Sequence, residues 1–320
     1  MRAVSVSEYG GPDALHLVDR GEPTPGRDEV LVRTDATGVN FIETYQRSGI
    51  YRVPLPFTPG AEASGTVIAA GDDVTTFSVG DRITTAEARA TYADAFVVEA
   101  SKAVRVPDGV DAETAAALPL QGLTAHYLSR SVFRAGPEHT VLLHAGAGGV
   151  GLLLTQLLTA VGARVITTVG DDAKAELSRQ AGADVVLGYD GVADRVRSLT
   201  DGRGVDVVYD GVGRATFDDS LASLAVRGTM VLFGASSGPV PPFDPQRLNA
   251  GGSLLLTRPT MGHFLRTPEE RASRYRDLFD AVAGGRLRVR VGERFPLAEA
   301  SHAHRALESR ATTGKVLLLP

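Results

Sequence analysis

Residues 141–151 read VLLHAGAGGVG, which sets Gly146, Gly148 and Gly151 in G-x-G-x-x-G spacing between a strand-like run and a helix-like one. That spacing suits a dinucleotide. The first glycine permits a tight turn, the second lets backbone approach a pyrophosphate, and the third lets helix and strand pack closely. The helix start behind them offers unpaired amides to phosphate oxygens. With 36 glycines in the chain the motif is weak alone, and an ordinary turn in a buried β–α unit is the plain alternative. Other chemistries fit less well. Residues 234–238, GASSG, match G-x-S-x-G, but a nucleophile elbow needs a helix directly behind its serine, and GPVPP follows here. Cysteine is absent, H-E-x-x-H is absent, and a helix would turn His302 and His304 away from each other, so no metal site is expected. None of the eight tyrosines has a lysine four positions later, which disfavours the Y-x-x-x-K reductases.

The cofactor choice turns on the second strand of the nucleotide-binding half. An NAD site usually offers an acid about 20 residues past the glycines. Here the strand ends at Thr168-Val169-Gly170 without one, and Asp171, Asp172 and Lys174 follow. A missing tip acid leaves room for a 2′-phosphate and Lys174 supplies a countercharge, while the paired aspartates argue the other way. NADPH is favoured, with NADH the alternative.

The elements that must hold these residues change character near residue 115. Residues 1–110 carry short β-rich runs at 2–6, 29–34, 64–70, 95–98 and 103–106, punctuated by glycine and proline. They predict a mostly antiparallel, barrel-like domain. After one connecting helix over 112–133, strands at 141–144, 164–169, 184–187, 205–209, 229–233 and 253–257 alternate with helices at 149–160, 173–180, 191–200 and 216–224. That rhythm predicts an α/β fold with a doubly wound, six-stranded parallel sheet. Helices at 268–283 and 296–309 and strands at 287–295 and 315–319 would complete the first domain, which then spans 1–116 and 263–320 around a nucleotide domain of 117–262. The active-site cleft is expected between the two bodies.

Composition sets outer limits. Thirty-three basic against 38 acidic residues leave a net charge of −5, which argues against nucleic acid or an anionic membrane as a general partner. The most apolar stretch, 148–162, is too short to span a bilayer comfortably, and residues 1–8 lack the apolar core of a signal peptide. With no cysteine, a reduced, cytoplasmic setting is expected.

Several stretches together resemble one family: GVNFIETYQRSGIY (38–51), PGAEASGTV (59–67), VGDRI (79–83), LPLQGLTAHYL (118–128), HAGAGGVG (144–151), VYDGVG (208–213), LFGASSG (232–238), LLLTRPT (254–260) and SRATTGKVLLLP (309–320). The chain resembles the zinc-independent quinone oxidoreductases, the zeta-crystallin-like group of the medium-chain dehydrogenase/reductase superfamily. The resemblance implies a GroES-like domain plus a Rossmann domain, and a homodimer joined through the last Rossmann strand, here 253–257. It places Asn40 and Ala61 where zinc-dependent members carry a cysteine and a histidine ligand. Glu62 is left as a loop-holding residue. It also puts Asn40 and Thr124 near the nicotinamide or its ribose, and Gly148, Gly149 and Val150 in the phosphate turn. Gly170 falls at the ribose end, Lys174, Tyr189 and Arg310 around the adenine ribose phosphate, and Phe233 and Ser236 at the crevice edge. The loop GDDAK (170–174) departs from the small hydroxyl residue often found before that lysine.

Tyr45, Tyr51 and Arg258 are the substrate-pocket candidates. Tyrosines offer stacking surface to a flat quinone, and Tyr45 or Arg258 could hydrogen-bond the oxygen that gains charge on hydride transfer. Plainer roles stand beside these: barrel packing for Tyr45, loop packing for Tyr51, a dimer contact for Arg258, core packing for Phe233 and a surface ion pair for Arg310. The expected activity is NADPH-dependent reduction of a quinone. An enone or alkenal reductase is the near alternative, and an NADPH-binding structural or regulatory protein is the alternative of another class.

Overall fold

The computed structural model describes residues 1–320. In the first stretch, β1 (Arg2–Ser5) and β2 (His16–Asp19) pair as a small antiparallel ribbon. The long β3 (Glu29–Val39) runs into α1 (Phe41–Arg47), and β4 (Ala63–Ala70), β5 (Arg82–Thr85), β6 (Ala95–Glu99) and β7 (Val104–Arg105) follow. The helix expected over 112–133 is instead α2 (Ala112–Ala117), α3 (Pro119–Tyr127) and a π-helical turn at Leu128–Val132. Pro119 explains the break, because proline lacks an N–H and suits the first position of a new helix.

A regular alternation comes next: β8 (Thr140–Leu143), α4 (Gly149–Thr159), β9 (Arg164–Thr168), α5 (Asp172–Gln180), β10 (Val185–Leu187), α6 (Val192–Leu199), β11 (Val205–Asp210), α7 (Phe217–Ser223), β12 (Leu224–Leu232), α8 (Gln246–Ala250) and β13 (Leu255–Thr257). All neighbours pair in parallel, in the order β10-β9-β8-β11-β12-β13. This is the doubly wound order, with its switch point between β8 and β11. Strands such as β11 are covered on both faces, so their sequence reads as a continuous apolar run. Leu142, Ile166, Val208, Leu224 and Met230 are fully buried in one core with Phe217 and Leu221 of α7.

The tail supplies α9 (Pro268–Ala283), β14 (Val291–Pro296), a 3-10 turn at Leu297–Glu299, α10 (Ala300–Glu308) and β15 (Lys315–Leu319). The strand expected from residue 287 starts at Val291, and the helix expected from Pro296 becomes regular only at Ala300. β14 and β15 join the front strands in a seven-stranded sheet, β14-β15-β3-β4-β5-β7, with β6 on the other edge of β3. The pairing is antiparallel except for β14 with β15. The contacts divide the chain into Met1–Gln121 with Thr267–Pro320, and Gly122–Arg266. Within the first unit, α1 is fixed at its far end by Arg47, whose buried guanidinium meets Glu308 at 2.6 Å, His304 Nδ1 at 3.0 Å and the Gly10 carbonyl at 3.1 Å.

Candidate cofactor and substrate site

The glycine turn leaves β8 at His144, whose N–H bonds the Tyr209 carbonyl at 3.1 Å, and crosses β9 where the Gly146 N–H meets the Thr168 carbonyl at 2.9 Å. A Cβ on Gly146 would lie 2.6 Å from Ser178 Oγ and from Thr167 Cβ, and one on Gly151 would collide with the Ala145 carbonyl. Only glycine allows that approach. Gly148 is the N-cap of α4, is extended, and carries no side chain to cap the helix. The first amides of this eleven-residue helix therefore have no intrahelical partner and no capping side chain. Gly148, Gly149 and Val150 are only half-buried. Donors of this kind at a helix N-terminus fit a diphosphate.

Beneath the turn runs a buried polar network that ties three strand ends together. Asp210 closes β11, is fully buried, and accepts four hydrogen bonds: Val212 N at 2.7 Å, Gly213 N at 2.9 Å, Thr216 Oγ1 at 2.7 Å and Ser220 Oγ at 2.8 Å. Ser220 gives its one hydrogen to that carboxylate, so it accepts from His144 Nε2, 3.0 Å away. His144 Nδ1 is then the acceptor from Thr168 Oγ1 at 2.9 Å. Burial holds the imidazole below its ordinary pKa against the pull of Asp210 and Asp219, and the neutral Nε2–H tautomer is the one the network requires. Tyr189, half exposed, stacks over His144 with ring centres 6.2 Å apart.

The 211–213 loop carried by Asp210 meets the loop after β12. Phe233 N bonds the Asp210 carbonyl at 2.8 Å, Ser236 N bonds the Gly211 carbonyl at 3.2 Å, and the Phe233 ring lies where a Cβ on Gly211 would be 2.8 Å from it. No helix follows Ser236 until α8, so the GASSG stretch is not a nucleophile elbow. Arg258 reaches the same strand end, with Nη1 3.2 Å from the Leu232 carbonyl. Thr124 is buried in α3 and hydrogen-bonds the phenol of Tyr127, which burial pushes up to about 12 while Arg258 pulls it back. The Tyr127 ring stacks on Phe264 at 4.5 Å and 2°.

At the second strand end a Cβ on Gly170 would meet nothing within 4 Å. Asp171 caps α5 by accepting from Lys174 N at 2.8 Å, and its other oxygen lies 3.1 Å from the Lys174 ammonium. The Lys174 amide and then its side chain hold the Asp171 carboxyl below the usual range. Of the two aspartates that argued against a 2′-phosphate, Asp171 is thus committed to its own helix.

In the first unit, Asn40 follows β3 and caps α1, with its N–H 2.7 Å from Glu43 Oε2 in a capping box. Its side-chain nitrogen donates to Glu62 Oε2 at 2.9 Å and its oxygen accepts from Lys315 Nζ at 2.6 Å. Lys315 also pairs directly with Glu62, and both are fully buried. The other Glu62 oxygen takes the Leu120 N–H at 2.7 Å. Gly38 makes the cluster possible, since a Cβ there would strike both Glu62 and Lys315. Glu43 is buried beside them with Oε1 unpartnered, and burial raises its carboxyl to about 7 against the pull of Lys315. On α1 and just after it, Tyr45 and Tyr51 meet edge to face at 5.4 Å, and the Tyr51 N–H bonds the Tyr45 carbonyl at 3.0 Å. Arg310 follows α10 in a left-handed turn at φ +60°.

The structure therefore places Asn40, Tyr45, Tyr51 and Arg310 in the first unit. Thr124, Gly148, Gly149, Val150, Gly170, Lys174, Tyr189, Phe233, Ser236 and Arg258 lie in the second. Four residues escaped the sequence reading. Lys315 is hidden as the polar start of an apolar strand, KVLLL, and Asp210 as the last letter of VVYD. Tyr127 and Phe264 carried no signal, being single aromatics outside any motif.

The pattern of related zinc sites does not fit. Ala61 has no donor atom, and Asn40 and Glu62 are already bound to an ammonium group, which repels a second cation. No group of three or more His, Cys, Asp or Glu side chains gathers that could hold a metal ion.

Residues 149–282 match the family described as zinc-binding dehydrogenase, and residues 26–117 the alcohol dehydrogenase GroES-like domain. The chain is 44% identical to the quinone oxidoreductase of Pseudomonas aeruginosa, over 100% of this chain and 99% of that one. The protein belongs to the zinc-independent quinone oxidoreductases. Solved relatives agree at full length. A mycobacterial protein in complex with NADPH superposes with a TM-score of 0.98 at 56% identity, and the Escherichia coli quinone oxidoreductase in complex with NADPH with 0.98 at 40%, each covering 100% of both chains. Quinone oxidoreductases of this group share the α/β Rossmann sheet and the GroES-like partner found here, and the matched family named for zinc is a statement about ancestry rather than about the donors of this chain.

Proposed function

We infer that the protein is an NADPH-dependent quinone oxidoreductase that works without zinc. The observation that carries this reading is the glycine turn over α4, sterically restricted to glycine and opening onto uncapped amides, in a chain alike over its full length to quinone oxidoreductases. When bound, NADPH supplies the hydride. The α4 amides receive the diphosphate, and Gly170 leaves room for the ribose. Lys174, Tyr189 and Arg310 hold the 2′-phosphate and adenine, with Lys174 as the ammonium countercharge. Thr124 orients the nicotinamide end, with Phe233 and Ser236 at its edge, and Asn40 stands beside that end toward the acceptor. Tyr45 and Tyr51 present ring surface to a flat acceptor, and Arg258 or the Tyr45 hydroxyl stabilises the oxygen that gains charge. The quinol takes its remaining proton from water.

A second copy of the chain is the proposed partner. β13 is an edge strand whose Leu255 side is exposed, and Val226 is exposed beside it in the same unit. Continuing the sheet across that edge would bury both. No helix is long and apolar enough to cross a membrane, and the absence of cysteine suits a reducing, cytoplasmic compartment.

Anaerobic oxidation of NADPH against a panel of quinones, enones and aldehydes, with NADH in parallel, tests the reading. Quinones should be the fastest acceptors. Turnover confined to enones would make the protein a double-bond reductase, and NADPH binding without turnover on any acceptor would make it a binding protein. Lys174→Ala should weaken NADPH binding about tenfold and leave NADH unchanged, as loss of one phosphate countercharge requires. Equal loss for both nucleotides would remove Lys174 from 2′-phosphate recognition.

A further inference from the structure

The buried cluster of Asn40, Glu62 and Lys315 fixes which way the Asn40 amide faces. Lysine ammonium only donates and an ionised carboxylate only accepts. The amide oxygen must therefore face Lys315, at 2.6 Å, and the amide nitrogen must face Glu62, at 2.9 Å. Turning the amide over would set N–H against N–H on one side and oxygen against oxygen on the other, with the Lys315 and Glu62 side chains both fully buried. Glu62 is in turn anchored by the Leu120 N–H, and its backbone carbonyl by Thr37 Oγ1 at 2.7 Å and by the Gly38 N–H at 3.0 Å. Of the two amide hydrogens, one goes to Glu62. The other has no partner in the protein, and Asn40 keeps a small exposed fraction, 6%.

We propose that Lys315 and Glu62 are positioning residues that lock Asn40 as an obligate hydrogen-bond donor, so that the site accepts a ligand oxygen at this point and rejects a ligand hydroxyl or amine that must itself donate. The inference rests on the quinone-reductase reading and deepens it. The ligand group that meets Asn40 is the carbonyl oxygen of the acceptor, which gains negative charge as hydride arrives and is best served by a donor already aimed and unable to turn. Lys315 here fills a cation's place beside the two side chains without touching substrate. Its contribution is orientation, not chemistry.

Removing one charge alone would leave the other buried and unpaired, and a loss of folding would follow whatever the role of the pair. The informative variant replaces both, Lys315→Met with Glu62→Met, close in volume and uncharged. The expected result is a folded protein whose melting temperature is lowered by the orphaned Leu120 N–H and Asn40 amide, an NADPH dissociation constant within about twofold by fluorescence titration, and a kcat for quinone lowered about tenfold or more with little change in KM, because an interaction made in the transition state has been loosened. Wild-type kcat in the folded double variant would overturn the proposal and leave the pair a device of folding alone. Should that variant not fold, Asn40→Asp decides: it keeps the size and the Lys315 contact but offers no N–H. It should lose kcat to a similar extent, and wild-type turnover by Asn40→Asp would overturn the proposal as well. A readout independent of turnover is the side-chain amide spectrum of labelled protein, in which Asn40 (identified by its loss in Asn40→Asp) should show one slowly and one rapidly exchanging hydrogen. Two rapidly exchanging hydrogens would contradict the lock. Absence of NADPH oxidation by the wild type would strike the quinone reading and leave this spectral result standing.

Discussion

Glu43 is the residue whose energetics run against the fold. Its carboxyl is buried, one oxygen has no partner, and its pKa rises from an ordinary 4.5 to about 7. A carboxyl with a raised folded pKa binds more protons folded than unfolded between those values, so its contribution to stability falls as pH rises from about 4.5 to 7. A shift of that size corresponds to roughly 3 kcal/mol at most. Glu43→Gln keeps an acceptor for the Asn40 N–H and removes the ionisation. The variant should match the wild type near pH 4.5 and become the more stable protein above pH 7, as read by denaturant titration across that range. A constant difference at every pH would show that Glu43 does not titrate there. None of this was legible from the sequence, because FIETYQR reads equally well as a solvated helix face. Burial is decided by Arg47 and α10, which pull α1 inward from residues far along the chain.

At the scale of elements, the parallel sheet was the most legible part of the molecule. Strands such as VDVVYD and TMVL announce burial on both faces, and α4, α5 and α6 start behind Gly148, Asp171 and Gly191. The π-turn and the split at Pro119 were less legible, since the apolar pattern of 112–133 runs on across the proline. Glycine spacing located the phosphate turn but not what stiffens it. That task falls to Asp210, which collects four donors from the loop and helix that follow β11 and connects through Ser220 and His144 to β9. Asp210→Asn replaces one acceptor oxygen with a donor and sets it against hydroxyl or amide hydrogens, each lost bond costing about 1–3 kcal/mol when buried. The expected outcome is a lower melting temperature together with NADPH binding weakened about tenfold, because the turn loses its support. Unchanged nucleotide affinity in a folded Asp210→Asn protein would confine the network to stability.

For the whole molecule, the testable feature is the free edge of the six-stranded sheet. Leu255 is 60% exposed and Val226 74%, both on the unit that carries this edge. Leu255→Asp places a charge on the proposed pairing edge, and sedimentation should then report a monomer where the wild type sediments as a dimer, with the melt of the subunit little changed. Two monomers would remove the proposed dimer, and two dimers would move its contact away from this edge.

The ammonium that steadies Asn40 is separated from it by 275 positions along the chain. During translation the early strands therefore emerge long before their counterion exists, and Glu62 must wait, hydrated, while the nucleotide-binding half is made. Completion of the cluster is therefore timed by arrival of the last strand, and a chain cut short before residue 315 has Glu62 and Asn40 without the ammonium that aligns them.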